Sequence, residues 1–425
     1  MTRHDFTELN QFARYAQRRF RLSLLAGTCL ADSRPHPQIP GRAVGVSLLL
    51  GEVVHLPSRL QLEAETRLPQ WQRWVGSRAP ISDDTFGYVS ERLDPERLRR
   101  AERWICRRLK RGKAFETSKV HGRLVVSLDA NEQFCSDHRC CADCLTRELT
   151  SQDAQGREVP RTQYYHKQVY AQLSGPELSV ILDFEPLRAG EEEAAAALRL
   201  LRRLRQDYGP RFFDLVVVDA WYATGPFLRT VVEELGWPVI AVLKQECRET
   251  YQEMAALTRG QAPSQVVERD GCQVEIWDVP ALRFTDSYPG PVRGVKVRER
   301  WTERHRVGRQ WVHVPKEQRW IWVVAGELDG YEGAIIRDWG HLRWKIENNA
   351  FGELTQHWHL THCAHHQPVA VVALLWIKLL AFTLFHAFAL GHGQRVRRGR
   401  VTLQEVRKQI YRSLLCGQPI LLWSG

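Results

Sequence analysis

The sequence predicts a mixed α/β chain built around one sheet, with a helical domain in front and a strand-rich insertion near its middle. Three observations predict it. Residues 1–122 carry helical spacing and many arginines. From 123 the texture becomes three strand-like runs, then helix, strand, helix, strand. Helical spacing then lapses until about 334, with short strand-like pieces between.

The elements follow in order. In "ISDDTFGYVSERLDPERLRRAERWICRRLKRGK" (81–113), Ser82 or Asp83 caps a helix that leads into an arginine-rich amphipathic run. "RLVVSLD" (123–129) is a strand ending in an acid. "TQYYHKQVYAQL" and "LSVILDF" are two more strands, with "SGPE" as the turn between them. "AGEEEAAAALRLLRRLRQDYG" is a helix with acids in its first turn and arginines later. "FFDLVVVD" (212–219) is apolar throughout, as a central parallel strand buried on both faces would be. "GPFLRTVVEELGW" is a helix, and "PVIAVLK" a strand. An antiparallel meander followed by strand–helix–strand crossovers is the element order of the ribonuclease-H-like fold. Residues 123–244 and 331–392 then form the core. Residues 245–330 form a β-rich insertion, and 393–425 a basic tail.

Composition narrows the partners. The chain has 425 residues, 44% of them hydrophobic, and a net charge of +11 with 15 tryptophans. Basic charge with interleaved aromatics fits nucleic acid, and fits a merely basic soluble protein as well. The first residues carry no secretory apolar core, and ten cysteines without one point to a reducing cytoplasm. "PVAVVALLWIKLLAFTLFHAFALG" (368–391) is long enough to span a membrane. Lys378 and His386 interrupt it, so it reads as a buried core helix and no membrane is expected.

Two strands end in aspartate, Asp129 and Asp219. As parallel neighbours they would raise two carboxylates together at the carboxyl edge of the sheet, where open α/β sheets place ligands. Two such groups repel unless a cation joins them, and hard oxygen donors suit magnesium or manganese. Glu347, on a helix beside the sheet, would complete a two-metal site, with Arg343 one turn earlier to meet a phosphate. Each residue has an ordinary alternative. Asp219 could cap a helix, Asp129 could start a turn, and Glu347 could pair only with Arg343.

Cys141 and Cys144 have zinc-ligand spacing inside "CSDHRCCADC". A closed site would need further ligands from His138, Cys135 or His166. The spacing leaves both structural zinc and plain thiols open. The histidines of "HWHLTHCAHH" read as packing and phosphate contacts.

"VVSLDANEQF", "CCADCLTRE" with "YYH", "DLVVVDAWYATGPFL", the insertion and "RDWGHLRWKIENNAFGELTQHWHLTH" together resemble the DDE transposases of bacterial insertion sequences, in the insertion-sequence-4-like group. The resemblance covers about 123–391. It implies a magnesium-dependent enzyme with two ions on Asp129, Asp219 and Glu347, cutting element ends and joining them to target DNA. It implies double-stranded DNA as partner, a homodimer in the active complex, and DNA contacts near Arg343, Trp344, Asn348 and Trp339. The group's signature runs Tyr-x2-Arg-x3-Glu-x6-Lys. Here Gly340 stands in place of the tyrosine and Leu354 in place of the lysine. A catalytically idle DNA-binding relic and a nuclease without strand transfer are the rival readings.

Overall fold

A computed structural model describes residues 8–139, 141–153, 155–244, 248–269, 271–308, 310–392 and 401–416. Among these residues one ten-stranded sheet runs in the order β2-β3-β1-β5-β6-β10-β9-β8-β7, with β4 also paired to β3. The strands are β1 (Val125–Ser136), β2 (Leu145–Gln152), β3 (Glu158–Ser174), β4 (Val180–Pro186), β5 (Leu215–Val218), β6 (Val239–Val242), β7 (Gln265–Arg269), β8 (Cys272–Leu282), β9 (Val292–Val307) and β10 (Gln310–Ala325). Only the β1–β5 and β5–β6 pairings are parallel. The meander β1, β3, β4 is followed by α8 (Glu193–Tyr208), β5, α9 (Gly225–Arg229) and β6. That is the ribonuclease-H-like order, enlarged by the β2 hairpin and by strands added beyond β6.

The central strands show why this order holds. On β5 and β6, Val216, Val218, Val239 and Ala241 enter one apolar cluster, while Leu215, Val217, Ile240 and Val242 enter another. Alternate residues face opposite sides, so both faces must be covered. The first face is covered by α8, α7 (Pro95–Arg111) and α13 (Pro368–His392). The second is covered by α11 (Gly333–His341), which brings Ala334, Ile336 and Trp339 into its cluster.

The insertion is strand-rich, as its sequence suggests, but its strands continue the same sheet. Residues Trp322–Ala325 of β10 pair antiparallel with Val242–Val239 of β6, and β9, β8 and β7 follow outward. The far half of the β9–β10 hairpin leaves the sheet and is exposed. Trp311 stands 57% exposed there, with Arg304 over its ring at 4.8 Å. Trp322, at the near end of β10, is buried.

The apolar cluster on the first face also takes in the N-terminal helices, from Leu9 and Phe12 of α1 (Glu8–Phe20) to Leu48 and Leu49 of α3 (Gly41–Val53). The arginine-rich face of α7 is partly used internally. Arg99 pairs with Asp207 at 2.6 Å, and Arg103 pairs with the same carboxylate. Helix α13 is apolar and long enough to cross a membrane by length and composition alone. In the fold most of it is buried inside the protein. Its two interruptions are satisfied locally: Lys378 meets Glu52 at 2.7 Å, and His386 meets Glu353 at 2.9 Å. The tail contributes α14 (Leu403–Cys416), which packs on α1; residues 393–400 and 417–425 lie outside the described residues.

Two expectations follow. Gly340 of α11 lies against the Trp322 indole, and an added Cβ would stand 2.6 Å from Cε2 and Nε1. Gly340→Ala should therefore cost about 1–3 kcal/mol in denaturant unfolding; an unchanged midpoint would show that the helix can back away freely. Glu102 of α7 is fully buried, accepts from Thr383 Oγ1 at 2.6 Å, and is pushed by burial up to about 8. The folded state keeps this proton where the unfolded chain has lost it. Stability present below the ordinary carboxylate range is therefore lost as pH rises towards 8. Glu102→Gln removes that loss. Its advantage over the native chain should grow by up to about 1.4 kcal/mol per pH unit between pH 5 and 8. A constant difference across that range in urea unfolding would mean that Glu102 is not protonated.

Candidate active site

Asp129 lies on β1 and Asp219 directly follows β5. The parallel register pairs Val125 with Leu215 and Ser127 with Val217. Two more residues along each strand bring Asp129 level with Asp219. Both share strand parity with Val125, Leu215 and Val217, whose cluster lies under α11. Sheet geometry alone therefore aims both acids at the element that carries Glu347.

That element is not one continuous helix. α11 ends at His341, a short irregular turn follows, and Ile346–Phe351 forms a π-helical turn before α12 (Gly352–Trp358). The Leu342 carbonyl accepts from Ser127 Oγ of β1 at 3.1 Å and from the Lys345 N–H at 3.0 Å. A strand hydroxyl two residues before Asp129 thus pins the turn at Leu342, five residues before Glu347. π-turns of this kind recur at functional sites, because they re-aim a side chain.

Arg343 joins the acids. Its Nη1 lies 2.6 Å from Glu347 Oε1 and 3.5 Å from Asp129 Oδ2. The Arg343 side chain is only 4% exposed, whereas Glu347 is 45% exposed. Trp344 lies under the guanidinium, its ring centroid 4.1 Å from Cζ. Burial pushes the Asp129 carboxyl up to about 7; Arg343 opposes this and the nearby Glu347 adds to it. Burial also raises Asp219, opposed by the Trp221 N–H that it accepts at 2.9 Å, then by Arg343 and Lys244.

One guanidinium thus serves three carboxylates, two of them in desolvated surroundings. Their oxygens are not gathered to within 4.8 Å of one another, and Arg343 stands between Glu347 and Asp129. The donor set is all hard oxygen and short of positive charge, which fits magnesium or manganese.

Other expected contacts need correction. Trp339 is not a DNA-facing residue. It is fully buried and donates from Nε1 to the Val120 carbonyl at 2.8 Å. Arg343 lies beneath the carboxylates, so it does not offer a surface contact to phosphate either. Trp344 is half-buried and Asn348 exposed. Leu354 is fully buried in α12, and the Trp322 indole fills the space beside Gly340. A lysine and a tyrosine at these two positions would have no room. The neighbouring acids are structural: Asp183 is held by Arg203 at 2.7 Å, and Asp214 pairs with Arg123 at 3.3 Å.

Sequence reading missed Trp221. It follows Asp219 by two residues and is 75% exposed beside a half-buried acid. Its signal was present in "VVVDAWYATGPF": a large aromatic two residues after the acid that follows an apolar strand.

Comparison with known proteins identifies the family. The family model described as "Transposase DDE domain" matches residues 151–384, more than half of the 425. The match contains Asp219 and Glu347 and begins after Asp129. No curated protein matches the chain. Among solved structures, a piggyBac transposase synaptic complex with hairpin DNA, determined by cryo-EM, aligns over 96% of this chain and 80% of that one. Its identity is 10% and its TM-score 0.43. The fold assignment rests on strand order rather than on that likeness. The chain belongs to the transposase DDE domain family.

Proposed function

We propose that this protein cuts the ends of a DNA element and joins them to target DNA, using two divalent ions held by Asp129, Asp219 and Glu347. The observation that carries this reading is the pairing of β1 with β5. It sets two half-buried acids level with each other, with Glu347 tied to one of them through Arg343. Magnesium or manganese bound there would activate water or a 3′-hydroxyl and stabilise both oxygens of an in-line displacement. Glu347 is the exposed member, on a widened turn. Arg343 holds it near Asp129 and limits repulsion among the acids. Asn348 and Trp344 would then lie near the DNA. Trp221 offers an aromatic face beside the site on which an unstacked base could rest.

Double-stranded DNA is the proposed partner, with two copies of the chain in the active complex. The excess of basic charge supports this, as does the exposed β9–β10 arm with Arg304, Arg306 and Trp311. The proposed setting is the cytoplasm, and the 1–122 helices would add contacts to the element end.

The test uses the full chain and duplexes that carry the element's own ends. Asp219→Asn and Glu347→Gln should each lower magnesium-dependent cleavage about 10^3-fold, the rate equivalent of about 4 kcal/mol. Binding should change little, because phosphate contacts dominate affinity. Binding without cleavage by the native chain would instead support an idle relic. Cleavage without joining to a second duplex would support a simple nuclease. Trp221→Ala should weaken binding or cleavage by about 1–3 kcal/mol. It should leave the dependence of binding on salt unchanged, because no charge is removed. A changed salt slope would show that Trp221 acts by placing a basic residue.

A further inference from the structure

A second cluster of chemically able side chains lies away from the carboxylates. Cys141 Sγ stands 3.0 Å from His166 Nε2, Cys144 Sγ stands 3.6 Å from the same nitrogen, and the two sulfurs are 3.9 Å apart. Among the described residues this is the one set of three such groups whose ligand atoms lie within 4.8 Å of one another. A tetrahedral zinc with Zn–S of about 2.3 Å and Zn–N of about 2.0–2.1 Å requires sulfurs about 3.8 Å apart, with each about 3.5 Å from the nitrogen. Two of the three separations already meet that figure, and the third needs a small outward shift.

The local backbone favours the same reading. The Cys141 N–H donates to Cys144 Sγ at 3.3 Å, which stabilises negative charge on that sulfur. Arg139 shapes the turn by donating to the Cys141 and Ala142 carbonyls, each at 3.1 Å. Phe134 stacks on the His166 ring with centroids 5.1 Å apart, fixing its plane. Both sulfurs approach one imidazole nitrogen instead of each other, and a disulfide would need them about 2.05 Å apart.

Register removes one of the ligands that spacing alone allowed. Phe134 is opposite His166, and Cys135 is opposite Tyr165. Successive residues face opposite sides of a sheet, so Cys135 points away from His166. Cys140 lies outside the described residues.

We propose that Cys141, Cys144 and His166 bind one zinc ion, with its fourth position taken by water, chemically distinct from the oxygen-lined carboxylate site. The soft sulfur and imidazole donors select zinc, whereas the carboxylates suit hard cations. His166 faces β1 five residues beyond Asp129, roughly 16 Å along the strand. The ion clasps the turn between β1 and β2 onto β3, beside Pro368 and Val372 of α13, which line the same cavity as Cys144 and His166. It thereby stiffens the part of β1 that extends past the first acid. This assignment does not depend on the transposase reading.

The experiment is metal analysis of reduced, full-length protein purified without an affinity-tag metal. One zinc per chain is expected. Cys144→Ser and His166→Ala should each retain less than about a tenth of it, while Asp129→Asn and Glu347→Gln retain all of it. Should the cysteine variant fail to fold, the native chain is stripped with a chelator and titrated with cobalt(II). Thiolate-to-cobalt absorption reaching its end point at one equivalent supports the site. A chain that arrives without zinc and takes up no cobalt overturns it. So does metal that leaves with the carboxylate variants, or a Cys141–Cys144 disulfide that forms on mild oxidation in the presence of excess zinc.

Discussion

The site depends on one buried guanidinium. Arg343 reaches Glu347 and Asp129 directly and lowers the cost of ionising Asp219 from further away. Without it, three carboxylates would converge on a poorly solvated edge with no fixed positive charge, an arrangement that a fold tolerates badly. Its own burial is costly, and its Nε finds no hydrogen-bond partner. Trp344 offsets part of that cost by presenting an aromatic face. The same arrangement explains how the acids stay poised. Arg343 is a single monovalent charge shared among three anions, so a divalent ion still finds excess negative charge to neutralise. The guanidinium preserves the edge in its absence and competes only weakly in its presence.

The geometry that makes this possible is written into strand parity. Val125, Ser127 and Asp129 face one way, as do Leu215, Val217 and Asp219. The strictly apolar β5 then commits that whole side to burial under α11. Ser127 uses the same face to hold the Leu342 carbonyl, so the strand that positions the first acid also sets the turn that presents the third. The element order and the level placing of the two acids were legible in the sequence because they rest on local periods and short spacings; Asp129 does not end its strand as its spacing suggested, because β1 runs on to Ser136. The addition of the 265–325 strands to the β6 edge was not legible. Which edge a strand joins depends on pairings between residues far apart in sequence, and both a separate subdomain and an extended sheet satisfy the same alternation.

Burial was the other quantity that spacing could not supply. Trp339 and Trp344 look alike in "RDWGHLRW". The first falls inside α11 against the sheet and donates to Val120. The second falls in the turn, where it can only half-bury. Arg343 likewise reads as an outward arginine one turn from a glutamate, because a helix wheel does not show that the chain tightens at Leu342 and turns that side chain inward. The residues at 340 and 354 were set by packing in the same way. Trp322 occupies the volume that a side chain at position 340 would need, and Leu354 completes an apolar face of α12.

Charge shows how far composition can mislead. The arginines of α7 suggested a surface for a polyanion, yet Arg99 and Arg103 converge on Asp207 and tie the helical region to the end of α8. Arg203 and Arg199 are likewise spent on Asp183 and Glu185. Such pairs hold elements together and add nothing to the field that a distant phosphate feels, because each cation's charge is cancelled at short range. What acts at a distance is the unpaired excess, and its location matters more than its size. The β9–β10 hairpin carries Arg304 and Arg306 past the edge of the sheet, where Arg304 lies over an exposed Trp311 instead of against a carboxylate. A long two-stranded arm beyond the sheet is costly to hold in water unless its polar faces are useful there. Its position at the far side of β6 from Asp129 places positive charge and stacking surface on one flank of the acids, and the β1–β2–β3 extension with its cysteine–histidine cluster occupies the other. The two additions to the ribonuclease-H-like core thus bracket the edge that carries the acids from opposite ends of the sheet.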